Sequence, residues 1–389
     1  MKISLLLRNV TNVGSKGAPS ARTISNIDSF DSKKLTIRKT ENPAQLPNDK
    51  DTIPFGSHFS DHMVSVNWSQ DKGWATPKIA PLEPIKLHPA AKVFHYAVEV
   101  FEGMKAYYGV DGKVRLFRPE LNMRRMRESA ARSCLPDFDE KEAVEVIRKF
   151  VSTEIQWVPK SETSAFYIRP TLIGTEPSLG VAVSKAAKWF TIGCHVQGYF
   201  NNTSKGLSLL ADPKHVRSWQ GGVGAYKMGC NYAPTLYVAE HAAKENCHQV
   251  TEAGAMNLFM FWKNEQGEDE IITAPIEDGL LLPGITRQSV LELAREWNLF
   301  KVSERNYTMD EVRRASKENR IYEIFSSGTA AVVGPVSEIV YRDGQRNINE
   351  KLYIPTMESK SKLFIKFYDA ITGIQYGKVA QDDWTLIVN

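Results

Sequence analysis

The feature that most constrains this chain is an alternation of two periodicities. Short apolar runs of strand character interleave with amphipathic helical segments along 389 residues. The alternation breaks once, in the polar stretch QGYFNNTSKG, whose Gly, Asn and Ser content marks residues 197–205 as a linker. Before it, HMVSVNWS, GKVRLFR, AFYIRPTLIG and KWFTIGCHV read as strands, and the aromatic, β-branched run VFHYAVEVFEGMKAYY reads with them. PELNMRRMRESAARSCL and EKEAVEVIRKFVSTEIQWV read as helices, the first with Pro119 at its opening turn. After it come the helices PTLYVAEHAAKEN, TRQSVLELAREWN, MDEVRRASKEN and ESKSKLFIKFYDAITGIQ, with strands NLFMFWKN, DEIITAP, IYEIFSSG and SEIVYR among them. A chain of this length exceeds what one small core usually holds. The expectation is an α/β (α+β) protein with a smaller unit at 45–196 and a larger one at 206–389, and a site where the two meet.

Composition narrows the function. The net charge is +4, with Lys and Arg dispersed over the chain, which argues against nucleic acid. Four separated cysteines without a CxxC pair argue against a zinc site and suggest reduced thiols. No apolar run approaches a membrane span. Residues 1–27 carry Lys2, Arg8, Lys16 and Arg22, several hydroxyl residues and no acid. That is the composition of a mitochondrial transit segment, so residues 1–40 are expected to stay outside the fold and the protein to reside in the mitochondrial matrix, with the cytoplasm as the alternative.

The stretch GGVGAYKMGCNYA, residues 221–233, surrounds Lys227 with small residues. The phosphate-loop pattern fails, because Tyr226 precedes the lysine and Met228 follows it. The dinucleotide pattern fails too, since no buried strand leads into Gly221. What remains is an amine with room beside it for a flat ligand, or a lysine in an exposed loop. A lysine becomes a nucleophile when its pKa is lowered, and its usual covalent partner is an aldehyde. Three further stretches bear on this choice. Glu252 heads the apolar run TEAGAMNLFMFW, where a carboxylate is seldom at home unless paired. LLPGITRQSV leads into a helix whose first amides, at Ile285 and Thr286, suit a phosphate. FSSGTAAVVGP reads as a second small-residue loop, with hydroxyls at Ser326, Ser327 and Thr329.

Taken together, FHYAVEVFEGMKAY, RLFRPELNMRRM, YIRPTLIGTEPSLGV, GGVGAYKMGCNYAPT, TEAGAMNLF, LLPGITRQSVLELA and SSGTAAVV, in this order, resemble a branched-chain amino-acid aminotransferase of the fold type IV pyridoxal-phosphate class. The resemblance runs from about Gly56 to the C-terminus. It implies a two-domain enzyme, a homodimer, that moves amino groups between Leu, Ile or Val and 2-oxoglutarate, giving glutamate. It implies that Lys227 carries pyridoxal 5′-phosphate and moves the proton at the substrate's α-carbon. Glu252 would then pair with the ring nitrogen and Tyr232 with the ring oxygen. Arg125, the amides of Ile285 and Thr286 and the Thr329 hydroxyl would hold the phosphate. Tyr96, Phe101, Tyr167 and Tyr199 would form the apolar wall, Arg169 would take the γ-carboxylate of glutamate, and backbone amides near Ala255 and Ala330 the α-carboxylate.

The residues alone do not select Arg125. At 100° per residue, Met123, Met126, Ala130 and Cys134 share one face of their helix, and Arg125 falls opposite, with Glu128 and Arg132, as on a solvated basic face. One departure from the family stands out. Relatives carry an apolar strand and a turn between ENCHQV and TEAGAM, and this chain runs almost directly from one to the other. A loss of about 5–6 strand residues forces the sheet to close differently there. Two alternatives accompany the main reading: a shortened isoform of the family with impaired catalysis, and a related fold type IV enzyme such as a D-amino-acid transaminase or an aminodeoxychorismate lyase.

Overall fold

The computed structural model describes residues 28–47, 53–198, 206–244, 248–249 and 256–389. In the first half, β1 (Thr36–Ile37), β2 (His62–Ser69), β3 (Gly73–Trp74), β4 (Lys78–Pro81), β5 (Glu99–Phe101), β6 (Met104–Tyr108), β7 (Val114–Phe117), β8 (Ser164–Gly174) and β9 (Ala186–Gln197) build one largely antiparallel sheet. Along most of β9 buried and partly buried residues alternate, as the period of two requires when one sheet face is covered more deeply than the other. Helices α2 (Pro119–Arg132) and α3 (Glu140–Thr153) follow a short α1 (Lys92–Tyr96). Met123, Met126, Ala130, Val146, Ile147 and Phe150 lay the apolar stripes of α2 and α3 on strand residues such as Val64, Leu116 and Phe166. Asp139 caps α3 by accepting from the amides of Lys141 and Glu142.

The second sheet contains β10 (Leu207–Ala211), β11 (His248–Gln249), β12 (Asn257–Lys263), β13 (Asp269–Thr273), β14 (Lys301–Glu304), β15 (Ile321–Gly328), β16 (Val332–Asp343) and β17 (Ile348–Tyr353). Its order is β11-β10-β16-β15-β12-β13-β14, with β17 paired to β16. Helices α4 (Ala233–Lys244), α5 (Ile285–Trp297), α6 (Met309–Lys317) and α7 (Leu363–Gln375) accompany it. Strand β12 shows why both faces are covered. Phe259 and Phe261 pack with residues of α5 and α7, whereas Met260 and Trp262 pack with Val312 and Ala315 of α6. The α5–α7 cluster also takes in Tyr107, Phe117 and Tyr167 of the first sheet, so the two sheets share one core between them. Arg118 adds a polar tie across this boundary, pairing with Glu292 of α5 at 2.8 Å and lying 4.4 Å over the ring of Trp384. Among the described residues, no helix is long and apolar enough to cross a membrane.

The structure departs from the sequence reading at five places. Residues 28–40, expected outside the fold, are packed into it. Phe30 is 2% exposed, wedged between Trp74, Phe138 and Trp189, and β1 pairs with β4. The acid-free stretch 1–27 lies outside the described residues. A last strand, β18 (Thr385–Ile387), escaped the sequence reading and returns to the first sheet to pair with β7. The run read as strand-like from Val93 opens as helix α1, ended by Ala97 in the left-handed region at φ 48°; short apolar runs do not by themselves separate a helical turn from a strand. The loop expected over FSSGTAAVVGP shrinks to a turn at residues 329–331, because Ser326 and Ser327 already belong to β15 and Val332 to β16. Finally, the shortened segment after α4 still contributes a strand: β11, two residues long, pairs in parallel with β10.

Candidate functional site

Lys227 lies on the loop between β10 and α4, with its backbone pinned by the first sheet and α2. Its N–H donates to Ser129 Oγ at 2.9 Å, its carbonyl accepts from the Phe101 amide at 3.1 Å, and Met228 forms an isolated bridge with Val100. The side chain is therefore presented at the seam of the two sheets. Its Nζ donates to the Tyr232 hydroxyl at 3.2 Å and sits 5.0 Å from the centre of the Phe101 ring. Burial, and then the charge of Arg125, pull the amine down to about 8, against the counter-effect of Glu102. A nucleophilic amine near neutral pH results.

The small residues beside Lys227 have particular neighbours. A Cβ on Gly224 would lie 2.3 Å from the Leu280 carbonyl, and one on Gly229 would lie 2.5 Å from a Glu99 carboxylate oxygen. Gly221 has φ +80°. The clearance that suggested space for a flat ligand is at these positions taken up by protein or required by the backbone.

Arg125 corrects the helical-wheel reading. It is 6% exposed and shares a buried polar stripe with Asn122 and Ser129, while Arg124, Glu128 and Arg132 face solvent. Its Nε and Nη2 donate to the two oxygens of Glu102 at 2.7 and 2.8 Å, and Nη1 donates to the Pro283 carbonyl at 2.9 Å. Glu102 is fully buried and also accepts from Asn122 Nδ2 at 2.7 Å and from the Gly103 amide at 3.1 Å. Burial alone would raise its pKa, but the charge and hydrogen bonds of Arg125 outweigh that and hold it below the ordinary glutamate value of 4.5. The carboxylate-facing fork of Arg125 is thus already engaged, and its two remaining N–H groups, without a partner among the described residues, are those that can meet another anion.

Pro283 leads into α5, whose N-cap, Gly284, makes no side-chain cap hydrogen bond. Only glycine fits there: a Cβ would stand 2.1 Å from Asn257 Oδ1, whose amide in turn donates to the Leu282 carbonyl at 3.1 Å. The first amides of α5, at Ile285 and Thr286, are left without a side-chain cap, and uncapped helix starts suit anions. Ile285, Thr286 and Thr329 line one small cavity together with Gly103, Lys105 and Asn122.

The Arg169 guanidinium lies 4.8 Å from the same Phe101 ring centre and 5.3 Å from that of Tyr167. Its Nη2 donates to the Tyr167 hydroxyl at 2.9 Å, and its Nε is buried with no hydrogen-bond partner among the described residues. An orphaned guanidinium donor beside two aromatic faces is built for a carboxylate with an apolar neighbour.

Lys227, Tyr232, Phe101, Arg125, Tyr167 and Arg169 are therefore brought together. Tyr96 is 38% exposed and bonds through its hydroxyl to the Leu179 carbonyl, and no hydrogen bond or ring contact among the described residues joins it to the Lys227 cluster. Ala330 lies on the turn after β15 and accepts from Lys105. Tyr199, Glu252 and Ala255 lie outside the described residues. The sequence reading missed Glu102, Asn122, Ser129, Lys105 and Phe55, whose ring packs 5.1 Å from Tyr167. Glu102 could have been found, because it sits in an apolar run, the same signal that drew attention to Glu252.

The amine, the engaged arginine by an uncapped helix and the open arginine by aromatic rings fit a cofactor with an aldehyde and a phosphate, and a substrate with a carboxylate. Comparison with known proteins agrees. The model of the amino-transferase class IV family matches residues 99–339. The chain is 49% identical, over 88% of its length and 86% of the relative's, to the cytosolic branched-chain-amino-acid aminotransferase of Caenorhabditis elegans. It is 46% identical to the mitochondrial branched-chain-amino-acid aminotransferase of Bos taurus, over 92% of each chain. A solved branched-chain amino acid aminotransferase from Thermobaculum terrenum, in its PLP-form, shares the fold with a TM-score of 0.63 at 18% identity, covering 86% of this chain and 100% of that one. The chain belongs to the class IV amino-transferase family, among the branched-chain-amino-acid aminotransferases.

Proposed function

We propose that this protein is a pyridoxal-phosphate-dependent transaminase that exchanges the amino groups of Leu, Ile or Val with 2-oxoglutarate, yielding branched-chain 2-oxo acids and glutamate. The observation that carries the reading is the buried Lys227 amine, on which two cations act, Arg125 beside the α5 start and Arg169 beside Phe101 and Tyr167. One cation attends each end of a ligand pair that is anionic at both ends.

Pyridoxal phosphate, when bound, supplies an aldehyde that condenses with amines and a ring that takes up electron density from the substrate's α-carbon. Lys227 would hold it and would serve as the base and then the acid at the α-carbon, a role suited to an amine pulled down to about 8. The Tyr232 hydroxyl, 3.2 Å from Nζ, keeps the amine oriented. The spare donors of Arg125, the Ile285 and Thr286 amides and the Thr329 hydroxyl would hold the phosphate, and Glu252 would pair with the ring nitrogen. Phe101 and Tyr167 give the branched side chain an apolar wall and keep water from the reacting atoms, with Tyr199 extending it. Arg169 donates to the γ-carboxylate when glutamate or 2-oxoglutarate enters the same space, and the amides near Ala255 and Ala330 donate to the α-carboxylate.

The smaller unit at 45–196 and the larger at 206–389 are read as the two domains that enclose this site. Leu179, Val181 and Val183, each more than half exposed on one connection, support a homodimer in which a second copy covers them. The acid-free basic stretch 1–27 supports import into mitochondria, and a fusion of that stretch to a fluorescent protein tests it.

The deciding experiment is an assay of purified protein with Leu and 2-oxoglutarate, with Lys227→Ala as control. The wild type is expected to be yellow, to lose its colour with borohydride and to turn over. A colourless, inactive wild type, or activity that survives Lys227→Ala, refutes the reading.

A further inference from the structure

Lys105 has no role in the reading above, yet it is a cation where cations are rare. It stands on β6 directly across from Tyr167 and is 8% exposed. No carboxylate pairs with it among the described residues; its ammonium donates to the Ala330 carbonyl at 2.8 Å. Burial pulls the amine down to about 8. A lysine buried without a counter-ion opposes folding, so its single bond has to matter for something else.

Its partner is the turn between β15 and β16. That turn occupies residues 329–331 and runs into Val332 at φ 62°. A β-branched residue in the left-handed region is strained, and such a turn persists only where its surroundings over-determine it. Two features of the first sheet do so. Tyr107, two residues beyond Lys105 and so on the same strand face, packs in the cluster that holds Phe325, Val332 and Val333. Lys105 fixes the peptide plane at Ala330 from across the seam. The cavity it lines contains the starting residues of α5 and Thr329, and also Gln375, which is 4% exposed and whose Oε1 has no hydrogen-bond partner among the described residues.

We propose that Lys105 is a positioning residue: by holding the Ala330 carbonyl it keeps the strained turn at 329–332 in the form that aims the Thr329 hydroxyl and the Ala330 amide at the anionic groups of cofactor and substrate. The inference rests on the transaminase reading. It separates Lys105 from Arg169. A carboxylate at the α-position is common to every substrate, so Lys105 acts on both half-reactions alike, whereas Arg169 acts on the dicarboxylic partner alone.

The test compares wild type with Lys105→Met, which removes the donor, and Lys105→Gln, which keeps a neutral one. KM and kcat are measured for Leu and for 2-oxoglutarate in the loaded enzymes, and each apoprotein is titrated with pyridoxal phosphate by tryptophan fluorescence. Loss of one charged hydrogen bond predicts that Lys105→Met raises both KM values by a common factor of about tenfold and weakens cofactor binding by about tenfold, with kcat changed by less than about threefold. Lys105→Gln falls between. General loosening of the fold would instead lower kcat and the unfolding midpoint without a matched rise in the two KM values. Unchanged KM values, or a rise for one substrate alone, overturn the proposal. Should Lys105→Met not fold, Lys105→Gln decides alone: a matched rise supports the proposal and unchanged KM values refute it. A wild type that neither binds pyridoxal phosphate nor turns over marks failure of the transaminase reading instead.

Discussion

Replacing Glu102 by Gln removes a charge from the most enclosed ion pair of the site. Glu102 is fully buried and Arg125 is 6% exposed, so solvent does little to soften the loss. The carboxylate accepts four hydrogen bonds, two from Arg125, one from Asn122 and one from the Gly103 amide. Deleting one partner of a buried pair strands the other charge and costs about 3–5 kcal/mol. For a cooperative unit of about 150–250 residues each kcal/mol is about 2–4 °C, so the apoprotein midpoint should fall by about 6–20 °C. Working with apoprotein keeps cofactor loss out of the measurement. The double variant Glu102→Gln/Arg125→Met provides the control. Removing both charges leaves nothing stranded, so it should be more stable than Glu102→Gln alone.

The pH dependence has a definite sign. Glu102 is held below its ordinary value of 4.5 in the folded state, so the unfolded chain binds its proton first as acid is added. The stability difference between wild type and Glu102→Gln is then full above the ordinary value and shrinks as the pH falls through the folded one. A single variant within about 1 kcal/mol of wild type, or single effects that add in the double, would refute the claim that this pair holds the seam.

Other outcomes follow from the same geometry. In the apoprotein, the rate of Lys227 modification by an aldehyde such as pyridoxal should rise through about pH 8; a rise only near 10.5 would contradict the burial argument. Arg169→Met should raise KM for 2-oxoglutarate and glutamate by about tenfold or more while leaving KM for Leu within about threefold, and equal effects on both substrates would remove its assignment. Gly284→Ala places a Cβ against Asn257 Oδ1 and should weaken pyridoxal-phosphate binding measured by titration, whereas unaltered affinity would show that the α5 start does not hold the phosphate. Phe30→Ala should destabilise the apoprotein by about 3–5 kcal/mol in chemical unfolding, and no measurable change would place residues 28–40 outside the core.

Much of the architecture was legible because periodicity is a local property. Strands such as HMVSVNWS and helices such as TRQSVLELAREWN appear within a residue or two of their expected bounds, since one face of each must meet a core. The Lys227–Tyr232 hydrogen bond was not legible in this way: Tyr232 enters only through the resemblance, as a partner of the ring oxygen, and the structure puts its hydroxyl 3.2 Å from the Lys227 amine. Residues 28–40 were misread because their polar composition hid one decisive aromatic, Phe30, whose cage is built from Trp74, Phe138 and Trp189 far along the chain.

What the sequence by itself determined is therefore the set of elements, and the family through its ordered motifs. The tertiary structure decided which polar groups are buried and with whom. Arg125 faced solvent on a helical wheel because a wheel knows one helix; the seam brings Glu102 and the Pro283 carbonyl to it. Glycines 224 and 229 looked like room for a ligand because a sequence does not reveal that Leu280 and Glu99 approach them. Lys105 looked like any strand lysine until the turn at Ala330 was folded over it. In each case the missing information is a contact across a large sequence separation, where desolvation and charge act together and no local pattern records them.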